Sequence, residues 1–417
     1  MSNLSRTVGV VVGVAAVAAL ATVPAHAAPA APARFAMPAL SGRYPVGTTD
    51  LHLVDRDRVD PWNAARQREL MVTVSYPAAG SDGPRADWMG TGVAQVADAV
   101  LSSEYFLDVP IGSVDWDGTT RQARTNVRVA AGEFPVVLFS HGWGGARELN
   151  AGVVDDLASH GYVVVSLSHT YESLAVGFPG GRVEYGVANE AELDHRKTAI
   201  DTRVADSRFV LDQLALIDRG RNPDAERDPL PRGLDDALDL SRTGMFGHSY
   251  GGYTAGEAMY ADRRIDAGID VDGAMAYSTP EPYFPGEAVR HGLDRPFLLF
   301  GGDFVENGQA VEHSHRTPEF DRTWADFWAR QRAWKRDLHL DRATHYSFTD
   351  LQVAVPQLSG LLSPRRQAGI VGTIDPRRSL AAQHDYVAGF FDLHLKRRDR
   401  GLFHGPSPRH PDARFIV

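Results

Sequence analysis

The chain has no cysteine among its 417 residues, so disulfides, thiolate metal sites and lipidated cysteines are all excluded. It has no basic excess either. Its 43 Lys and Arg stand against 53 Asp and Glu, a formal net charge of -10, which argues against nucleic acid as a partner because phosphate binding needs a basic face. No apolar run reaches the ~20 residues of a membrane span, and no internal repeat is found. The 43% hydrophobic content, with 40 Gly and 25 Pro, suits one large catalytic domain held by packing and hydrogen bonds.

What is present begins with an export pattern. Arg6, the apolar run Val8–Leu20 and Pro24 before Ala25-His26-Ala27 read as a secretion signal over 1–27, cleaved near Ala27 to release an extracellular protein. No twin-arginine pair precedes the run, so the general secretory route is expected. Residues 28–41, rich in Ala and Pro, read as a mobile linker. That leaves 42–417 as the catalytic domain.

Within it, Met71–Tyr76 has the β-branched alternation of a strand that Pro77 ends. From Pro135 onward short apolar runs alternate with helical patterns, the signature of parallel strands joined by crossover helices. The predicted strands are Val136–Phe139, Tyr162–Leu167, Thr243–Phe246, Ala267–Val271, Phe297–Phe300 and Leu338–Leu340. The predicted helices are Leu149–His160, His195–Ile217, Tyr250–Ala261, Asp321–Trp334 and Leu380–Leu395. Asn222–Leu234 reads as a surface loop. Residues 85–120, with a helical stretch over Val93–Leu107, read as an excursion at the edge of the sheet or over its top.

The chemistry concentrates in three places. Gly247-His248-Ser249-Tyr250-Gly251-Gly252 lies between a strand and a helix, the setting of a nucleophile elbow, where the strained turn presents a serine and only glycine lets the backbones approach. The helix start then places positive potential beside a developing oxyanion. Ser140-His141-Gly142-Trp143-Gly144-Gly145 follows the first central strand, so the backbone amides of Trp143 and Tyr250 are the expected oxyanion donors. A base must follow the serine in this fold, and His345 lies in the loop after the last central strand, facing the elbow. Three carboxylates end or follow strands and qualify as its partner: Asp270, Asp272 and Asp303.

Pro135-Val-Val-Leu-Phe-Ser-His-Gly-Trp-Gly-Gly145, Asp156-Leu-Ala-Ser-His-Gly-Tyr162 and the elbow itself resemble the platelet-activating factor acetylhydrolase family, plasma and type II, with its bacterial lipase relatives. The likeness continues through Asp270-Val-Asp-Gly-Ala-Met275, Pro296-Phe-Leu-Leu-Phe300, Thr344-His-Tyr-Ser-Phe-Thr-Asp350 and Gly372-Thr-Ile-Asp-Pro376. It implies an α/β-hydrolase fold, a mostly parallel central sheet with helices on both faces. It also implies that Asp272 is the acid, with Asp303 the alternative used by cutinase-like polyesterases. The bulky residues that follow the family's acid are Gly273 and Ala274 here, which implies a wider pocket.

Other features take plainer readings. Phe320, Trp324, Phe327 and Trp334 recur at helical spacing and read as packing against the sheet. Glu312-His313-Ser314-His315 reads as a solvated loop rather than a metal site. His169 reads as a hydrogen-bonded histidine at the rim, and His339 and His384 as packing or surface residues.

The expected enzyme is a secreted serine ester hydrolase using Ser249, His345 and Asp272 through an acyl-enzyme, with no cofactor and no metal. Its expected partner is a small-molecule or lipid ester, met with at most transient contact to a lipid surface. The rival readings are a polyesterase, a serine peptidase, and a non-catalytic binding relative.

Overall fold

β-branched and aromatic runs become strands because their side chains fit a pleated, buried surface. The computed structural model describes residues 31–306 and 309–417, so the expected secretion signal and the start of the linker lie outside the described residues. Eleven strands form one sheet. They are β1 Val46–Val59, β2 Gln67–Pro77, β3 Arg85–Asp87, β4 Thr120–Thr125, β5 Phe134–Ser140, β6 Val163–Ser168, β7 Leu238–His248, β8 Ile265–Val271, β9 Phe297–Gly301, β10 Lys335–Leu340 and β11 Ala413–Phe415. Their spatial order is β11-β10-β9-β8-β7-β5-β6-β2-β1-β4-β3. Neighbours from β10 to β6 run parallel, whereas β2 is antiparallel to β6 and β1, and β11 is antiparallel to β10.

The helices are α1 Thr91–Leu101, α2 Ala151–Ser159, α3 Leu193–Ile217, α4 Tyr250–Ala261, α5 Glu287–His291, α6 Arg322–Arg330, α7 Leu351–Gln357, α8 Pro364–Val371 and α9 Pro376–Leu395. Strand alternation sorts the two cores. Val136 and Leu138 of β5 meet Ile200, Val210 and Leu214 of α3, while Val137 and Phe139 turn the other way to Val154 and Leu157 of α2 and Phe390 of α9. Each fully buried Val, Leu or Phe contributes ~1.5–3 kcal/mol, enough in sum to make cross-links dispensable. The alternation of strand and helix patterns predicts such a mostly parallel sheet with crossover helices, and the architecture is the α/β-hydrolase fold that the family resemblance implies.

Two local expectations are corrected and a third is met. The predicted helix Asp321–Trp334 ends at Arg330, and Trp334 crosses to the other core, where its ring meets Phe390, His394 and Phe403. Residues 28–41 are no free linker in their described part: Phe35 and Met37 are buried, and Ala33 pairs with Val114. Residues 85–120 do both things expected of them, since β3 and β4 extend the sheet edge while Trp88, Leu107 and Trp116 build a third core with α1, α7 and α8.

Asp350 ties that third core to the central fold. Its carboxylate accepts from Trp88 Nε1 at 2.8 Å and from the Gly152 amide at 3.1 Å. Burial pushes its carboxyl up to about 7 despite those donors. A carboxyl that keeps its proton longer when folded contributes stability below its ordinary pKa, and that contribution is lost as pH rises through about 7. Asp350→Asn, which retains an acceptor oxygen, should therefore gain melting temperature relative to the parent between about pH 5 and pH 8. A difference that does not change with pH would contradict this.

Candidate active site

Parallel pairing brings the C-terminal strand ends into line. Ser140 pairs with Gly247, His248 with Val271, Val271 with Phe300, and Gly301 with His339. The loops that follow β5, β7, β8, β9 and β10 therefore leave along one edge, where open α/β sheets place their ligands.

Ser249 leaves β7 with φ 57° and ψ -126° and caps α4. A non-glycine residue holds such a conformation only at ~1–3 kcal/mol of strain, which the surrounding contacts must offset. The Ser249 amide bonds the Val271 carbonyl at 2.7 Å, and the flanking glycines make the turn possible. A Cβ on Gly247 would sit 2.2 Å from the Gly251 carbonyl carbon, and one on Gly251 would sit 1.9 Å from the Ser140 carbonyl oxygen. Gly251→Ala is accordingly expected to destabilise the protein by ~3 kcal/mol or more, read from the urea midpoint. An unchanged midpoint would show that the turn has room to spare.

The loop after β5 reaches the same point. A Cβ on Gly142 would stand 3.2 Å from Ser249 Cβ, and the Trp143 ring meets the Tyr250 ring edge-on at 5.1 Å. Tyr250 opens α4, so its amide has no acceptor within the helix. Beneath the loop lies Arg203 of α3, fully buried, which donates to the His141 carbonyl at 2.6 Å and the Gly142 carbonyl at 3.4 Å while pairing with Glu172 at 2.8 Å. His141 is buried and its ring is held well below the ordinary histidine range, first by burial and then by the Arg203 charge. His169 is hydrogen-bonded to Ser140 and Asp206, as its plain reading predicts.

His345 begins a short turn that is tied down on several sides. Thr344 Oγ1 bonds the Ile370 carbonyl and Ser347 Oγ the Val371 carbonyl, while His248 Nε2 donates to the His345 carbonyl at 2.9 Å. Its Nδ1 lies 2.7 Å from Asp272 Oδ2. With Nδ1 donating there, Nε2 is left without a hydrogen and free to accept one. Asp272 is fully buried at φ 58°, and its Oδ1 accepts from the Gly302 amide at 3.0 Å and from His313 Nδ1 at 2.9 Å. Burial opposes its ionisation, but the bonds from His313 and His345 outweigh it and hold the carboxyl well below the usual range.

The other candidate acids have other partners. Asp303 accepts from His339 at 3.0 Å and from the Arg342 amide at 2.7 Å. Asp270 accepts from the Gly273 amide and Trp324 Nε1, and burial pushes its carboxyl well up. Gly273 is small for a reason other than pocket width: a Cβ there would stand 2.1 Å from the Ser249 carbonyl oxygen.

The reading of 312–315 as a solvated loop is wrong. His313 and His315 are buried, His313 between Asp272 and Asp321, and His315 against Asp337 at 2.6 Å. Among the described residues no group of three or more His, Asp or Glu is gathered to hold a metal. Sequence reasoning missed Arg203, His313 and Asp321. For Arg203 a signal existed, because it interrupts the apolar stripe of Ile200, Val210 and Leu214 at a buried helical position.

Residues 30–400 match the family model of platelet-activating factor acetylhydrolase, isoform II. The chain belongs to this family. A probable 1-alkyl-2-acetylglycerophosphocholine esterase of Arthroderma benhamiae is 28% identical over 92% of this chain and 94% of its own length. The platelet-activating factor acetylhydrolase of Cavia porcellus is 26% identical over 78% of this chain and 71% of its own. Among solved structures, a ferulic acid esterase from Streptomyces cinnamoneus superposes with a TM-score of 0.72 at 33% identity, covering 92% of this chain and 99% of that one. The family member described here is a carboxylic ester hydrolase.

Proposed function

We propose that this acetylhydrolase-family chain is a secreted serine esterase in which Ser249 is the nucleophile, His345 the base and Asp272 the acid. His345 Nε2 takes the Ser249 hydroxyl proton as Oγ attacks the ester carbonyl carbon. The oxyanion that forms accepts hydrogen bonds from the Trp143 and Tyr250 amides, each worth ~10²–10³ in rate in comparable sites. Collapse expels the alcohol, which takes its proton from His345. Water then enters and attacks the acyl carbon as His345 takes its proton; the bond to Ser249 Oγ breaks, Oγ regains that proton from His345, and the acid leaves. Asp272 holds the ring and offsets its positive charge.

The observation that carries this reading is the 2.7 Å contact of His345 Nδ1 with Asp272 Oδ2, at the loop edge where Ser249 is held in a strained turn against Gly142. The relatives named above carry the names of an acetylglycerophosphocholine esterase and a ferulic acid esterase, which points to a carboxylic ester with a short acetyl or a planar aromatic acyl group. Aromatic rings of Phe304 and Tyr346 flank His345 and suit such a group. Phe106 packs on Tyr346, and its neighbour Tyr105 is 73% exposed, which suits a brief contact with a lipid surface.

A panel of nitrophenyl acetate, longer acyl esters, a feruloyl ester and matched anilides separates the readings. Turnover of short-acyl and feruloyl esters with little on anilides is the expected result. Comparable cleavage of anilides would make the chain a peptidase, and no turnover of any substrate would make it a binding relative.

A further inference from the structure

On the side of Asp272 away from His345 stands His313. After β9 the chain runs out and back as an antiparallel ribbon, Asp303–Glu306 with Gln309–Glu312, and the His313 amide closes it on the Gly302 carbonyl at 3.0 Å. The same closed loop therefore delivers two donors to Asp272 Oδ1, the Gly302 amide and the His313 ring. His313 Nε2 meets a second buried carboxylate, Asp321 Oδ2, at 2.9 Å. Carboxylates accept and do not donate, so both ring nitrogens carry hydrogen and the ring is an imidazolium. It stacks on Trp324 at 3.9 Å and 21°, an arrangement that favours a cation over the indole face. Asp321 is fixed in turn, because its Oδ1 caps α6 through the Thr323 amide and hydroxyl.

We infer that His313, clamped between Asp272 and Asp321, is a positioning residue that fixes the Asp272 carboxylate and tempers its charge toward His345. This rests on the reading of Asp272 as the triad acid. Two donors on Oδ1 stop the carboxylate from swinging, so Oδ2 stays aimed at His345 Nδ1. The positive ring on the far side also draws down the negative field that Asp272 presents to His345. Burial would strip the proton from His313, but its two carboxylate partners outweigh that and hold the ring up at about 10.

The groups facing His313 are few. Asp272 and Asp270 come from the end of β8 and Asp321 from the start of α6, with Phe304 and Phe320 closing the remaining sides. Burial holds the Asp270 carboxyl well above its ordinary range. Glu312, next in the chain, is taken by Arg414. His345 lies beyond Asp272.

The test is kcat and KM against pH on nitrophenyl acetate for the parent, His313→Gln and Asp272→Asn, with melting temperatures. For H313Q we expect kcat to fall ~10–100-fold, as for other residues that orient a catalytic ligand, with KM within about twofold. The acidic limb of its kcat/KM profile should move to higher pH, since the cation then no longer offsets the charge of Asp272. A lower melting temperature with the acidic limb unmoved would make His313 structural and overturn the inference. If H313Q does not fold, the parent decides: nitrogen-15 spectra at about pH 8.5, well above an ordinary histidine, should contain a ring protonated on both nitrogens, and its absence overturns the inference. An active D272N would sink the triad reading itself, whereas an inactive D272N beside an unmoved limb in H313Q sinks only the role given to His313.

Discussion

Ser249→Ala should lower ester turnover by about 10⁶-fold, to the level that binding and the oxyanion donors supply alone. The expectation follows from the division of labour at the loop edge. Without the hydroxyl there is no atom to form the acyl-enzyme, and His345 and Asp272 then orient a base with nothing to activate. The strained backbone at Ser249 does not depend on its side chain, so the variant should fold and melt like the parent or slightly above it. A fluorophosphonate probe should label the parent and leave the variant unlabelled. Residual turnover within tenfold of the parent, with labelling retained, would place the nucleophile elsewhere.

The second large effect is expected at Asp272. Replacing an orienting carboxylate by its amide in a serine triad costs about 10⁴-fold in turnover, because the imidazole then takes the wrong tautomer and its cation goes unsupported. Asp272→Asn should show a loss of that order. Asp303→Asn should retain most activity, since its carboxylate is committed to His339 and the Arg342 amide. Asp270→Asn should also remain active, because the Asp270 side chain bonds Gly273 and Trp324 rather than His345. An inactive Asp303→Asn beside an active Asp272→Asn would reverse the assignment made from the family likeness.

The parts of this protein that are legible in its sequence are those where local sterics restrict the residue type. The elbow is readable because Gly247 and Gly251 stand where a Cβ would strike backbone. The sheet is readable because β5 and β9 bury both faces and so appear as unbroken apolar runs. His345 follows from topology, as the histidine in the loop after β10. What escaped depends on contacts distant in sequence. His313 sits in a polar stretch whose burial is decided by the ribbon that folds it onto Asp272 and Trp324, which no local pattern encodes. The apolar stripe of α3 marks Arg203 as facing inward, but that it lies under the His141 and Gly142 carbonyls is decided by contacts about 60 residues away in sequence. Trp334 continues the spacing of Trp324 and Phe327, yet α6 has already ended, so the stripe runs past the element that produced it.

The central claim is that hydrolysis proceeds through an ester of Ser249, and trapping that ester tests it most directly. Parent protein mixed rapidly with excess nitrophenyl acetate and quenched in acid should release a burst of about one nitrophenol per active site. Mass spectrometry of the quenched peptides should then find the acetyl group on Ser249. A burst whose acyl group maps to another residue, or turnover with no acylated peptide in His345→Ala, where deacylation should be slowest, would contradict it.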